Sequence, residues 1–393
     1  MPNESQLLDT GLRGVKIAKT RISHVDGEAG KLVYRGFLIN DLAESATYEE
    51  VAHLLLHEKL PNSDELTAFS RKLAGFRAIG PDIRQSMEKI SAQAHPMDVL
   101  QAMIPLLATG DSDRDAMTRE TTLSSGTRLV AVMATIVAAW HRIRSGRTPI
   151  DPDPALGHGA NFLYMLTGRR PDTETARFFD VCLVLHAEHS FNASTFTARQ
   201  VASTRAHMYA AVSAAIGSLS GELHGGANSR VMQVLLDIGS VDAIEAHIKK
   251  ILDTGGKIMG LGHAVYKTGD PRANVLSDMS RRLGDLSGNP LWYDLTVALE
   301  QKGRAAFKKN RGLDIYPNID FYSASVYYYM GIPIDLFTPV FAISRVAGWV
   351  AHVIEEQFGG AGSKPALYRP SAEYVGEYCG PEECAFIPVS DRK

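Results

Sequence analysis

The segment GELHGGAN places one histidine, His224, at a junction with almost no side-chain bulk behind it. An apolar helix is predicted to end before this segment, and a second helix, with Asn228 as its predicted N-cap, to begin after it. Because a helix N-terminus disfavours imidazolium, the ring is predicted to stay neutral and to donate a hydrogen bond to a developing oxyanion. A loop histidine bonded to backbone carbonyls is the alternative.

A second segment, GLGHAVYKTGDPR, combines small residues with His263 and Arg272. It lacks the GK[ST] ending of a phosphate loop and the GxGxxG spacing of a dinucleotide site. Its glycines would let a ligand approach the backbone closely. Arg272 follows a proline and could grip a carboxylate with both ends of its guanidinium, although a structural salt bridge with Asp270 explains it equally well.

The segment PNIDFYSA carries Asp320 between Ile319 and Phe321. Desolvation in such apolar surroundings raises the pKa of a carboxyl group, which suits a general base. The alternative is that Asp320 only caps the helix predicted to follow.

Two arginines, Arg345 and Arg369, are candidates for binding an anionic ligand. Arg345 is the one charge within FAISRVAGWV, and no acidic residue lies one turn away from it. A buried charge is costly unless it meets an opposite charge, so the missing anion could be the ligand. Arg369 precedes a proline in YRPSAEYVG.

Metal binding is weakly indicated. His186 and His189 are three residues apart in HAEHSFNAS, but an HxxH pair needs a further ligand to hold zinc. Cys379 and Cys384 in CGPEEC could form a metal or redox site, or be bystanders. We therefore predict no metal site.

Together, three arginines, three histidines and one aspartate predict a di- or tricarboxylate substrate. An aspartate beside neutral histidines predicts proton abstraction next to a carbonyl, with hydrogen bonds that stabilise the enolate.

The elements that must position these residues are mostly helical. RISHVDGEAGKLVYRG alternates apolar and polar residues around a turn, which predicts a small N-terminal β-hairpin. TYEEVAHLLLHEKLP begins with a capping box, RAHMYAAVSAAIGSLSG ends at Gly221, and Thr338 and Pro339 are the predicted cap and first residue of a central, buried helix. The prediction is an all-α fold of two domains.

Composition excludes several classes of protein. The 393 residues are 45% hydrophobic and 22% charged, as in an ordinary globular protein, and a net charge of −3 gives no footprint for nucleic acid or for an anionic membrane. Three cysteines favour a reducing compartment, and the N-terminal residues lack the pattern of a signal peptide. The longest apolar run, 129–140, is too short for a bilayer span. We predict a cytoplasmic protein.

Five separated motifs, GELHGGAN, GLGHAVYKTGDPR, PNIDFYSA, FAISRVAGW and YRPSAEYVG, resemble the citrate synthase family in order and spacing over residues 11–376. The resemblance implies a multihelical homodimer. Residues 1–224 and 326–393 would form a large domain with the dimer interface and the oxaloacetate site. Residues 225–325 would form a small domain that binds CoA and closes over the cleft.

The resemblance also implies a role for each motif residue. Asp320 would remove a methyl proton from acetyl-CoA, His224 would hydrogen-bond the thioester carbonyl, and His263 would polarise and protonate the ketone of oxaloacetate. The positions that match the family's oxaloacetate-binding residues are His189, Arg272 and Arg345, together with Arg369, which would enter the partner's site.

For CoA, the matching positions are the backbone at Ile258, Gly260 and Gly262, and the cation Lys267. Where related chains often carry a lysine, this one has Leu313, so Arg311 or Lys309 would replace that contact. Acetyl-CoA would be a co-substrate, with no permanently bound cofactor and no allosteric NADH site.

The nearest alternative is 2-methylcitrate synthase, which acts on propionyl-CoA with the same residues. A single methylene distinguishes the substrates, and the sequence leaves that choice open. A non-catalytic helical assembly protein or a metal-binding protein is a remote alternative.

Overall fold

The computed structural model of the chain describes residues 11–12, 14–263, 265–361, 365–376 and 388–391. Within these residues it contains sixteen α-helices and one small three-stranded sheet, as the predicted all-α fold requires. The predictions for Cys379 and Cys384 lie outside the described residues.

The helices follow one another with short connections. Those before the GELHGGAN segment are Ile39–Ser45 (α1), Tyr48–His57 (α2), Ser63–Phe76 (α3), Pro81–Glu88 (α4), Pro96–Thr109 (α5), Arg119–Arg144 (α6), His158–Thr167 (α7), Thr173–His186 (α8), Ala193–Ser203 (α9) and Met208–Ser220 (α10). Those after it are Ala227–Ile238 (α11), Ile244–Asp253 (α12), Pro271–Ser287 (α13), Leu291–Arg311 (α14), Ile319–Tyr329 (α15) and Phe337–Phe358 (α16).

The predicted hairpin is present and is extended by a short third strand. Strands Ser23–Asp26 (β1), Lys31–Tyr34 (β2) and Phe37–Leu38 (β3) form an antiparallel sheet in that order, with Ser23 opposite Tyr34. The buried Tyr34 hydroxyl donates to the Glu188 carbonyl at 2.7 Å. The sheet is therefore anchored on the chain that follows α8.

Local signals set most helix ends. Thr47 and Glu50 form the predicted capping box of α2, and α10 ends before Gly221 as predicted. The predicted start of α16 was wrong by two residues. This helix continues from a 3₁₀ turn, Ile334–Leu336, and begins at Phe337, so the Thr338 hydroxyl is free to donate to the Gly225 carbonyl at 3.1 Å.

Asn228 is not the cap of α11, contrary to the prediction. The helix begins at Ala227 with Gly226 at the N-cap, and Asn228 is buried in the first turn. The tight connection from α10 explains the shift, because a Cβ at Gly225 would lie 2.3 Å from the Leu219 carbonyl oxygen. Two consecutive glycines allow the chain to turn earlier than the asparagine.

The core is built around α6 and α16. Residues 129–140 lie within α6 and are buried, as predicted, and α16 is buried from Phe337 to Glu356. By length and composition both helices could cross a membrane, but 83% of the apolar stretch of α6 and all of that of α16 are packed inside the protein. They serve as core helices.

Two groups of helices flank a cleft. Helix α16 packs on α2, α6, α8 and α9, whereas α11 to α15 pack mainly on one another. A loop that connects the two groups, between α10 and α11, carries His224. His189 lies on a loop within the first group, and His263 lies on a loop within the second.

Candidate active site

One cavity of about 650 Å³ lies between the two groups of helices. Its walls come from the loop after α8, the loop before α11, the loop before α13, the first turns of α13 and α15, and the N-terminal half of α16. It brings together seven of the predicted residues: His189, His224, Gly262, His263, Arg272, Asp320 and Arg345.

Asp320 lies in the first turn of α15, partly buried at the cavity wall. The cap of this helix is Asn318, whose side-chain oxygen accepts the Asp320 backbone N–H at 3.0 Å. Asp320 is therefore not the cap, and within the described residues no group donates a hydrogen bond to its carboxylate. Burial raises the pKa of Asp320 to about 6 despite the opposing charges of Arg272 and Arg345. A free carboxylate with this pKa suits a general base near neutral pH.

His224 is held by the start of α9. The Ser194 backbone N–H donates to His224 Nε2 at 3.2 Å, and the Ser194 hydroxyl oxygen lies 2.8 Å from the same nitrogen. Because Nε2 accepts, the neutral ring carries its proton on Nδ1. Burial and then the charge of Arg345 lower the pKa of His224 to about 4.

His263 has the opposite tautomer to that of His224. The backbone N–H groups of Val265 and Tyr266 both donate to His263 Nδ1, at 3.0 and 3.2 Å. The neutral ring therefore carries its proton on Nε2. Burial, followed by the charge of Arg272, lowers the pKa of His263 to about 4. Both histidines are thus neutral hydrogen-bond donors at physiological pH.

The glycine turn before His263 is joined to the start of α15. Gly262 N–H donates to the Tyr316 carbonyl at 2.7 Å, and the Asn318 side chain donates to the Gly262 carbonyl at 2.9 Å. Gly260 and Gly262 have φ values of +79° and +100°, which favour glycine. The turn therefore fixes His263 relative to Asp320.

His189 completes an aromatic group at the cavity wall. Its Nε2 lies 3.1 Å from the Tyr266 hydroxyl, and its ring centroid lies 5.5 Å from that of His263. Burial, then the charge of Arg272, lowers the pKa of His189 well below its usual value. This ring is neutral as well.

The two arginines in the cavity differ in their partners. Arg345 donates from Nε to the His186 carbonyl at 2.7 Å and stacks on Phe341, but in the described part of the chain no carboxylate lies within ion-pair distance. Burial lowers its pKa to about 10. Arg272 does form the salt bridge with Asp270, at 2.8 and 2.7 Å. It also lines the cavity, and its binding of a substrate carboxylate stays a prediction.

The remaining predicted residues lie outside this cavity. Ile258 is buried in the core, and Gly260 packs against Phe321 and Val231. Arg311 donates to the Gly256 carbonyl at 2.8 Å. Lys267 lines a neighbouring cavity of about 270 Å³, which shares Gly262 and His263 with the first, and pairs with Glu28 on the surface.

Arg369 is exposed and does not line the cavity of its own chain. The preceding residue, Tyr368, holds this segment to the protein by donating to Glu356 Oε2 at 2.7 Å.

The structure adds residues that sequence analysis missed. Ser194 and Tyr266 contact the site histidines directly, and Val25 brings the hairpin to the cavity wall. Tyr266 lies only three residues after His263 and could have been proposed. Ser194 is 30 residues from His224 and contacts it through both its backbone N–H and its hydroxyl, and local spacing gives no signal of a contact over that distance.

Metal ligation finds no support in the described residues, where no group of three or more His, Cys, Asp and Glu side chains could hold an ion. His186 instead lies close to Cys182, with Nδ1 2.8 Å from its carbonyl oxygen, and burial lowers the pKa of His186 to about 3.

The chain is similar over nearly its whole length to known proteins. A family model described as "Citrate synthase, C-terminal domain" matches residues 11–371. A citrate synthase of Haloferax volcanii is 43% identical over 98% of this chain and 99% of its own length. A 2-methylcitrate synthase of Shewanella oneidensis is 39% identical over the whole of both chains. The crystal structure of citrate synthase from Pyrobaculum aerophilum superposes with a TM-score of 0.89 at 39% identity, covering 97% of this chain and 95% of that one.

The multihelical fold, with a carboxylate and two neutral histidines in one cleft, is that of an enzyme that transfers an acyl group. The chain belongs to the citrate synthase family.

Proposed function

We propose that this protein condenses acetyl-CoA with oxaloacetate and water to give citrate and CoA. The observation that carries the proposal is the meeting of Asp320, His224 and His263 with two arginines in one cavity, with each titratable group in the state that the reaction needs.

Enolate formation is the first step. The Asp320 carboxylate removes a proton from the methyl group of acetyl-CoA, and the Nδ1–H of His224 donates to the thioester oxygen as negative charge develops there. A neutral donor is suited to this task because it stabilises the charge without giving up its proton too early.

Bond formation follows at oxaloacetate. His189, Arg272 and Arg345 bind its carboxylates, and the unpaired charge of Arg345 is then neutralised. The Nε2–H of His263 polarises the ketone and passes its proton to the new alkoxide. Water then hydrolyses the citryl-CoA thioester, which releases CoA and a third carboxylate.

We assign CoA binding to the backbone at Ile258, Gly260 and Gly262 and to the cations Lys267 and Arg311. Residues 225–325 act as the small domain that closes over the cleft, against a large domain of 1–224 and 326–393. The surface pair of Lys267 and Glu28 is exposed on both sides, so Lys267 can exchange this partner for a phosphate at little energetic cost.

We further propose a cytoplasmic homodimer in which Arg369 enters the partner's site. The exposure of Arg369, away from the cavity of its own chain, supports this arrangement. The buried free thiol of Cys182 is in keeping with a reducing compartment.

A second candidate is 2-methylcitrate synthesis from propionyl-CoA, which the 39% identical relative of that name favours. An apolar wall containing Val25, Leu223 and Phe341 would discriminate one methylene by roughly 1 to 3 kcal/mol.

The test measures CoA release with oxaloacetate and either acetyl-CoA or propionyl-CoA, with kcat/KM determined for each. A higher kcat/KM for acetyl-CoA supports the proposal. A higher value for propionyl-CoA assigns the chain to 2-methylcitrate synthesis, and no release with either thioester refutes both candidates.

A further inference from the structure

The loop between α8 and α9 has a bent backbone where it lines the cavity. Four consecutive residues, His189 to Asn192, all line it. Regular helix or strand would turn some of these side chains away, so the backbone must bend. Ser190 provides the bend with a φ of +51°, a left-handed conformation that is unfavourable for residues other than glycine. Such a residue persists only when its surroundings hold it in place.

The side chain that holds Ser190 is Glu188. Its Oε1 atom accepts the Ser190 backbone N–H, the Ser23 hydroxyl at 2.8 Å, and His352 Nε2–H at 2.9 Å. Ser23 also accepts the Ser190 N–H at 3.1 Å. Glu188 and Ser190 thus clamp the backbone on both sides of His189.

The surroundings of Glu188 leave room for its carboxylate, whose Oε2 atom is buried without a hydrogen-bond partner among the described residues. The residue is fully buried, and a Cβ at Gly348 in α16 would lie 2.2 Å from Glu188 Oε2. Glycine at 348 therefore gives this carboxylate its place against the helix. The Glu188 backbone is fixed as well, by the hydroxyl of Tyr34.

A buried chain of hydrogen bonds directs His352 at Glu188. Arg199 donates from Nη1 to His352 Nδ1 at 3.0 Å, so the neutral ring must carry its proton on Nε2, the atom that faces Glu188. Burial alone would raise the pKa of Glu188, but His352 and Arg345 outweigh it, and the pKa lies below its usual value. Glu188 is an anion with directed partners.

We infer that Glu188 is a positioning residue for oxaloacetate binding, which holds the left-handed turn at Ser190 and thereby directs the His189 ring into the cavity. This inference rests on the proposed function, since it takes His189 as an oxaloacetate ligand. Glu188 does not line the cavity and acts through its neighbour.

The first experiment compares Glu188→Ala and Glu188→Gln with wild type. Isothermal titration calorimetry gives the Kd of oxaloacetate, and steady-state kinetics gives the KM of each substrate. Glu188→Ala should raise the Kd of oxaloacetate by about tenfold or more, as expected for losing hydrogen bonds to a charged group, with the KM of acetyl-CoA unchanged. Glu188→Gln keeps an oxygen acceptor and should restore most of the affinity. Equal losses in both variants would overturn the inference, because they would point to the charge near Arg345 instead.

Glu49→Gln is the matched control. Glu49 is also a buried carboxylate, paired with Arg77 at 3.8 Å, but it does not line the cavity and Ser190 is not among its partners in the described residues. It should lower thermal stability and leave the Kd of oxaloacetate unchanged. A rise equal to that of Glu188→Ala would count against a specific role for Glu188.

A double variant separates a positioning role of Glu188 from a general loss of structure in the site. If Glu188 acts through His189, Glu188→Ala should add no further loss of oxaloacetate affinity in a His189→Ala background. Losses that add in full would refute the inference.

Two further outcomes are decisive. If Glu188→Ala does not fold, Ser23→Ala takes its place, because it removes the hydroxyl shared by Glu188 and Ser190. A rise in the Kd of oxaloacetate supports the inference, and an unchanged Kd overturns it. A wild-type protein that binds no oxaloacetate overturns the proposed function and the role of Glu188 together, whereas normal wild-type binding with an unchanged Kd in the variants overturns the positioning role alone.

Discussion

The backbone N–H of Ser194, in the first turn of α9, donates to Nε2 of His224 at 3.2 Å. The N-terminus of one helix thus fixes the tautomer of a histidine that precedes another helix, α11. The ring is left with Nδ1–H as its donor, and in the described part of the chain this N–H has no acceptor. A substrate oxygen can take that place.

Replacing His224 and Ser194 should have unequal effects on turnover. His224→Ala removes a donor to the developing oxyanion and should lower kcat by roughly 100-fold or more. Ser194→Ala keeps the backbone N–H that sets the tautomer, so kcat should fall by much less. Steady-state CoA release measures both, and a Ser194→Ala variant as slow as His224→Ala would show that the hydroxyl holds the ring.

The acid limb of the pH profile should report Asp320. A raised pKa of about 6 means that the carboxylate loses its charge as the pH falls through 6, and with it the ability to accept a proton. The histidines, with pKa values of about 4, stay neutral through this range. We therefore expect kcat/KM for acetyl-CoA to decline below about pH 6 and to be flat above it until other groups titrate. A midpoint near the ordinary aspartate value would contradict the burial argument.

Asp320→Asn should keep the shape of the site and lose the base. We expect kcat to fall by roughly 100-fold to 10,000-fold, with the Kd of oxaloacetate unchanged by calorimetry. Near-normal turnover would mean that another group removes the proton.

Arg345 is expected to lower the stability of the ligand-free protein and to bind oxaloacetate. Its charge is buried without a carboxylate partner among the described residues, and the lowered pKa of about 10 shows that folding disfavours the charged form. Arg345→Met should therefore leave the Tm of the ligand-free protein equal or higher. It should also abolish the rise in Tm that oxaloacetate produces in wild type. Scanning fluorimetry gives both values, and a large loss of Tm with the oxaloacetate shift intact would contradict this expectation.

The proposed role of Arg369 can be tested by mixing subunits. Asp320→Ala and Arg369→Ala should each be inactive as homodimers. In a mixed dimer, the chain that retains Asp320 would receive Arg369 from its partner, so mixing by unfolding and refolding should restore about a quarter of wild-type activity. If Arg369 served its own chain, the mixture would stay inactive.

The sequence alone determined the helical fold, the hairpin and the types of group in the site. These follow from local rules: apolar residues recur at helical spacing, Thr47 and Glu50 cap α2, and Ile319 and Phe321 predict a desolvated Asp320. The sequence also identified Arg345, which has no acidic residue one turn away in an apolar helix, because a buried charge without a partner is costly in any fold.

Only the tertiary structure decided which distant groups meet. The helix start that acts on His224 belongs to α9 and not to α11, and the short connection through Gly225 and Gly226 displaced Asn228 from its predicted capping position. Glu188 carried no signal in HAEHSFNAS, because its partners Ser23 and His352 lie 165 and 164 residues away in the chain. Periodicity encodes which face of an element is buried. Hydrogen bonds between groups far apart in sequence depend on how the elements pack, and that information is not contained in local spacing.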